Sequence, residues 1–329
     1  MDIKTSFIQN LPFVSNHYQK YLPLFPTAIE QFDLTQYDLV ISSSHCVAKG
    51  VITSPHTCHI CYCFTPMRYA WEMYYSYFSR NSLNPLIRWS VPFFMNYLRT
   101  WDERSADRVD RFAAISENVR RRIKKHYRRD AEVIYPPVDT GHFSLSTKEG
   151  EYYLVVSALV PYKRIDLAIL AFNELDLPLL VIGEGPERKK LVTIAKKNIR
   201  FLDWQTRPEL KRYYTECKAL IFPGEEDFGI VPVEAQACGK PVIAFGRGGV
   251  TESVRGVYPD QEITSSPTGI FFYPQTKEAL VEAVRRSDSI KFDPERIREN
   301  ALRFDKRIFR EKIKEFVETT FRQHREDLR

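Results

Sequence analysis

Short apolar runs alternate with longer amphipathic stretches along almost the whole chain. The short runs predict strands at Asp38–Ser43, Cys58–Phe64, Arg111–Ser116, Tyr152–Leu159, Leu179–Gly183, Ile199–Leu202, Ala219–Pro223, Pro241–Phe245 and Gly269–Tyr273, since each is rich in strand-forming residues. Apolar positions recurring three and four residues apart predict helices at Ser116–Tyr127, Ile165–Leu175, Glu187–Lys197, Pro208–Cys217, Val231–Cys238 and Lys277–Arg286. Strand, helix, strand repeated through short links is the pattern of parallel sheets covered on both faces. The expected fold class is α/β, with two Rossmann-like doubly wound domains. Periodicity breaks at Tyr135–Gly150, where two prolines precede a polar stretch. The break predicts domains over 1–145 and 146–305, with a closing helix over 306–329 that packs back on the first. Two such sheets place strand carboxyl ends around an interdomain cleft, where ligands of these folds bind.

Composition narrows the picture. Apolar residues make up 43% and charged residues 27% of the 329, which excludes a disordered, collagen-like or coiled-coil chain. Lys and Arg exceed Asp and Glu by 48 − 42 = 6. That excess suits a phosphate-bearing ligand or an anionic membrane and is too small for a nucleic-acid binder. No run reaches the roughly 18 apolar residues of a membrane-spanning helix, and the start has no leader pattern, so a cytoplasmic location is expected. Cys58 and Cys61 form a C-x-x-C beside His59, with Cys46 and Cys63 near. In a strand the first two point to opposite faces, so all four read as core thiols, with no metal site. The aromatic stretches Trp71–Phe78 and Leu86–Trp101 precede a run containing Arg120, Arg121, Arg122, Lys124, Lys125, Arg128 and Arg129. These fit either an interfacial membrane surface or a buried helical hairpin beside a solvated basic helix.

The stretch Ile221–Glu252 carries the chemistry. An apolar strand ends at Pro223, an acidic turn follows, and Gly229 precedes a helix with Pro232 in its first turn and Gly239 at its end. Backbone N–H groups of Gly229, Ile230 and Val231 would point out of that helix start and form an anion site. Glu226 lies just before the helix and Glu234 about one turn inside it. Two carboxylates flanking an anion site suit a molecule with hydroxyls on both sides of a diphosphate, which is the layout of a nucleotide sugar.

The spacing Glu226-x(7)-Glu234, with Phe228 and Gly229 between and Ala235, Gly239 and Pro241 after, resembles the signature of family 4 retaining glycosyltransferases of GT-B fold. Similarity extends through VVSALVPYKRIDLAI (155–169), VIGEGPE (181–187), FLDW (201–204) and Gly248-Gly249. In the first half, ISSSHCVAKG (41–50), CYCFTPMRYAWE (61–72) and VIYPPVD (133–139) resemble the bacterial mannosyltransferase branch of surface-polysaccharide synthesis. The resemblance implies transfer of a hexose, mannose from GDP-mannose above all, to a glycan or lipid-linked glycan at the inner membrane face, with no cofactor and no metal. Glu226 and Lys163 would be catalytic, the first on donor-sugar hydroxyls and the second on the departing diphosphate. Glu234 would hold the ribose. Phe228, Gly229, Ile230, Val231, Arg164, Gly183, Trp204, His45 and Arg68 would complete substrate binding.

Three departures qualify the family pattern. Ala158 stands where the family commonly has an Arg, leaving Arg164 as its substitute. Phe64 stands where the family has a histidine near the reaction centre, with His45 a partial replacement. Met1 enters about fifty residues into the family pattern, so the usual first strand, Gly-rich turn and helix are expected to be lacking, and the remaining first-half strands are expected to be interior ones short of a neighbour. A nucleotide-sugar epimerase of the same fold, or a truncated paralogue that binds without turnover, are the alternatives.

Overall fold

The computed structural model describes residues 3–14, 18–77, 85–148, 150–262 and 266–329. Phe78 of the first aromatic stretch lies outside them. The chain forms two compact units, Met1–Ile134 with Lys312–Arg329, and Tyr135–Glu311.

The first unit is built on four parallel strands in the order β1 (Leu39–Ser44), β2 (Cys58–Cys63), β3 (Arg111–Ala114) and β4 (Ala131–Val133). Ser44 pairs with Cys63 and Cys63 with Ala114, so the first three strands end flush. β2 is buried along its whole length. Among the described residues β1, expected to be an interior strand short of a neighbour, pairs on one side alone, with β2, and Ile41 is 51% exposed. Around the sheet stand α1 (Phe25–Glu30), α2 (Pro85–Ser105) and α3 (Glu117–Tyr127). Ser116 caps α3, its hydroxyl accepting from the Val119 N–H at 3.0 Å.

The segment Leu86–Trp101 is buried along one stripe only. The segment is one helix, and Val91, Met95, Leu98, Asp102 and Ser105 form its buried stripe. Trp89, Phe93 and Tyr97, four residues apart, are left in solvent. The buried stripe ends in an ion pair: Lys49 Nζ lies 2.8 Å from Asp102 Oδ1 and 2.7 Å from the Ser105 hydroxyl. Trp71 Nε1 and the Tyr127 hydroxyl donate to Asp102 Oδ2 at 2.8 and 2.9 Å. These bonds counter part of the cost of desolvating the two charges, and removing one partner would leave the other buried and uncompensated. The basic run is thinner than its sequence suggests. Arg122 is buried against Glu72 at 2.6 Å, and Arg129 donates to the carbonyls of Ala106, Val109 and Asp110.

The second unit holds seven parallel strands in the order β10-β11-β9-β8-β5-β6-β7. They are β5 (Tyr152–Val156), β6 (Leu179–Ile182), β7 (Ile199–Leu202), β8 (Cys217–Phe222), β9 (Val242–Phe245), β10 (Gly256–Val257) and β11 (Gly269–Phe272). Covering helices are α4 (Ile165–Leu175), α5 (Arg188–Ile194), α6 (Arg207–Glu216), α7 (Ile230–Ala237), α8 (Lys277–Ser287) and α9 (Pro294–Leu302). The core joins Val155, Val181, Ile221, Ile243 and Phe272 of the strands to Ile169 and Phe172 of α4 and to Leu280 and Val284 of α8. From β5 the chain winds outward through β6 and β7, then returns to lay β8 on the other side of β5. The two directions part between β5 and β8, the point at which open sheets of this kind receive ligands. A final helix, α10 (Lys306–Asp327), carries the chain from this unit into the first.

Candidate functional site

Both strands beside the switch point end in loops bearing charge. β5 leads through Ser157 into the turn Pro161–Lys163, and Arg164 takes a left-handed conformation (φ 53°) before α4 starts. β8 leads through Pro223 and Gly224 into the acidic turn. A Cβ on Gly224 would meet the Lys163 backbone at 2.9 Å, so glycine there lets the two loops touch. The Lys163 ammonium is thereby paired directly with Glu226 Oε1, both side chains mostly buried. Beyond this ion pair, Oε1 is buried without a hydrogen-bond partner among the described residues. Ser157, Lys163, Gly224 and Glu226 line a small cavity at the ends of β5 and β8. The acidic turn is fixed from the other side by the Gly249 N–H, which donates to the Glu226 carbonyl at 2.8 Å. Arg247 adds a contact to Glu225 at 3.4 Å.

Gly229 takes a φ of 93° at the start of α7, a conformation other residues rarely adopt, and no side chain caps the helix. Pro232 sits in the first turn, where its missing N–H leaves no bond unmade. Ile230 is 45% exposed, and Glu234 lies one turn inside. Burial pushes the Glu234 carboxyl up from its ordinary value, against the hydroxyl of Tyr214, which donates to it at 2.9 Å. Glu234 therefore keeps company with Tyr214 and is not part of the wall that Lys163 and Glu226 share.

Other expected residues are placed differently. Phe228 is 3% exposed, its ring tilted against Tyr135 and edge-to-face with Phe304, so it anchors the start of α7 and offers little surface to a ligand. The Arg164 guanidinium grips Asp166 with two bonds, at 3.1 and 3.2 Å, and reaches Gln275 at 3.5 Å. It is a brace for this turn, which weakens its case as a substitute for the missing arginine at Ala158. Gly183, at the end of β6, has a φ of 140°, and a Cβ there would lie 2.0 Å from the Ser157 carbonyl oxygen. Its role is the close approach of the two strand ends. Trp204 is 71% exposed, its backbone N–H bonded to Glu184 at 3.2 Å. His45 and Arg68 belong to the first unit. There His45 is exposed at the end of β1, and Phe64 leaves β2 beside it. Arg68 stands close enough to Glu72 to stabilise its charged form. The sequence reading missed Tyr214 and Gln275; the latter donates to the Pro223 carbonyl at 2.8 Å and links the two loops. A tyrosine four residues after Leu210, on the apolar side of the expected helix, was the available signal for the first.

Residues 140–304 match the family described as Glycosyl transferases group 1, and residues 4–142 match Glycosyltransferase Family 4. The chain belongs to this glycosyltransferase family. An uncharacterised glycosyltransferase of Methanocaldococcus jannaschii is 33% identical over 152 residues, 44% of this chain and 42% of that protein. The O-antigen chain mannosyltransferase of Salmonella typhimurium is 30% identical over 159 residues, 45% of each. The matches thus span less than half the length of these relatives. Among solved structures, sucrose-phosphate synthase of Thermosynechococcus elongatus aligns with a TM-score of 0.70 at 17% identity, over 93% of this chain and 80% of that one. Anabaena HepE in complex with UDP aligns at 0.63 and 17%, over 96% and 84%. The fold of this glycosyltransferase-family chain is therefore GT-B, two parallel-sheet α/β domains. No described helix is long and apolar enough to cross a membrane.

Proposed function

We propose that the protein is a retaining glycosyltransferase that takes a hexose from a nucleotide-sugar donor, and that the donor is GDP-mannose. The observation that carries this reading is the Lys163–Glu226 pair at the switch point of the second sheet. In that arrangement the ammonium neutralises charge that builds on a departing diphosphate, and Glu226, released from it, accepts from donor-sugar hydroxyls. The uncapped start of α7 receives phosphate, and Glu234 receives the ribose hydroxyls. These roles need no metal. Mannose is supported by the resemblance to the Salmonella mannosyltransferase, and a nucleoside diphosphate by the UDP in the Anabaena structure. A lipid-linked glycan at an anionic membrane surface is the acceptor this reading assigns, and the solvent-facing Trp89, Phe93 and Tyr97 suit such a surface.

A second reading, nucleotide-sugar binding without turnover, is favoured by Phe64, an aromatic with no exchangeable proton at the end of β2. Donor consumption measured with GDP-, UDP- and ADP-sugars, with and without lipid-linked acceptors, separates the two. Acceptor-dependent release of GDP from GDP-mannose, with the anomeric configuration kept, is the expected result. Binding of GDP-mannose with no consumption under any acceptor would establish the second reading and overturn the first.

A further inference from the structure

Away from the switch point, three residues remote in sequence meet at the amino-terminal edge of the first sheet. Cys58 opens β2, Asp110 immediately precedes β3, and His324 lies in the last turns of α10. A thiol sulfur, a carboxylate oxygen and an imidazole nitrogen from these side chains all lie within 4.8 Å of one another. We propose that Cys58, Asp110 and His324 bind one divalent transition-metal ion, zinc by the chemistry of the set, and that the ion clips α10 to the sheet of the first unit.

The donor types point to zinc. A thiolate is a poor ligand for calcium or magnesium, whereas sulfur, nitrogen and carboxylate oxygen together are the usual donors of zinc. Two of the three ligands are already steered by backbone groups, as ligating side chains generally are. Asp110 Oδ2 accepts the His59 N–H at 2.7 Å, which fixes the carboxylate and leaves its other oxygen. His324 Nε2 lies 3.3 Å from the His56 carbonyl oxygen, which can only accept, so this nitrogen carries the proton and Nδ1 keeps its lone pair. Tetrahedral zinc, with bonds of about 2.0–2.3 Å, draws ligand atoms to roughly 3.5 Å apart. That closure falls to the exposed last turns of α10. Cys58 is buried and Asp110 exposed, which leaves water the fourth position and gives the ion access from solvent.

Position decides the role. His45 and Phe64 leave the carboxyl ends of β1 and β2, the side of a parallel sheet where substrates bind, while this cluster sits at the opposite ends. The ion would therefore hold structure and take no part in the transfer. The set also uses one member of the C-x-x-C and leaves Cys61 in the core, facing the other side of β2.

Cobalt(II) is the probe, because thiolate coordination gives a charge-transfer band in the near ultraviolet and tetrahedral geometry gives intense visible bands. The full chain, stripped with chelator and titrated with cobalt, is expected to bind one equivalent, develop both bands and lose them to added zinc. His324→Ala, at a surface position that folding tolerates, is expected to weaken binding about tenfold or more. Cys58→Ser should remove the charge-transfer band, and Cys61→Ser should keep it. Zinc should slow amide exchange over residues 320–327 in the parent chain and not in His324→Ala. Absence of the bands at stoichiometric cobalt, or bands unchanged by His324→Ala, would overturn the proposal.

Discussion

The ribose contact proposed for Glu234 sets binding against stability. Burial raises its carboxyl above the ordinary value, so the charged form is disfavoured in the fold, and the stability present at low pH is lost as pH rises through the raised value. Glu234→Gln keeps an acceptor for the Tyr214 hydroxyl and removes the buried charge. Near neutral pH it is expected to unfold at the same or higher urea concentration while binding GDP and GDP-mannose more weakly. Glu226→Gln should weaken GDP-mannose and leave GDP nearly unchanged; calorimetry giving both variants equal losses on GDP alone contradicts the two roles. Asp305 has the reverse sign. Burial would raise it, but the Thr140 hydroxyl and the backbone and side chain of Arg307 outweigh burial and hold it at about 2, below the ordinary 3.8. Its contribution is present above the ordinary value and fades as pH falls through the lower one. With Arg307 itself exposed to screening water, Asp305→Asn is expected to cost about 1–2 kcal/mol near pH 7. The gap between the two urea midpoints should close near pH 2; a constant gap would show that charge is not the cause.

At the scale of elements, local pattern was legible and long-range pairing was not. The nine expected strands all form, because each is a short apolar run whose period needs no knowledge of its neighbours. β4 and β10 escaped notice, being three and two residues long and only partly buried. The buried Lys49–Asp102 pair joins residues 53 apart and has no local signature. The basic run Arg120–Arg129 shows the same limit from the other side, since a charge count cannot say which guanidinium is folded inward. With Arg122 and Arg129 engaged, Arg120 paired to Glu117 and Lys124 to Asp130, the exposed cations of the run that these contacts leave are Arg121, Lys125 and Arg128. Attachment to anionic vesicles is accordingly expected to depend more on α2. Trp89→Ser with Phe93→Ser should abolish pelleting, while raising salt, which screens over about 8 Å at physiological strength, should only reduce it. Equal pelleting of parent and double variant would exclude the aromatic stripe as the contact.

For the whole molecule, the site assignments imply an uneven response to nucleotide. Lys163, Glu226, Gly229 and Glu234, the proposed donor site, can be named from the sequence because they fall in loops and a helix start within about seventy residues of one another. The contacts that arm them, from Gly224, Tyr214 and Gln275, depend on strand order, which spacing does not reveal. All of these residues belong to the unit Tyr135–Glu311. That unit has its own sheet and core, so a ligand held by strand ends β5 and β8 and the start of α7 can be ordered without help from the other sheet. Loops bearing few buried apolar contacts open most readily, and a bound nucleotide removes that freedom. Amide exchange on the full chain with saturating GDP is therefore expected to slow over residues 157–164 and 224–234 and to leave β1 to β3 at their free rates. Protection confined to residues 39–63, with no change around Glu226, would move nucleotide binding to the first unit and take Lys163 and Glu234 out of their assigned roles.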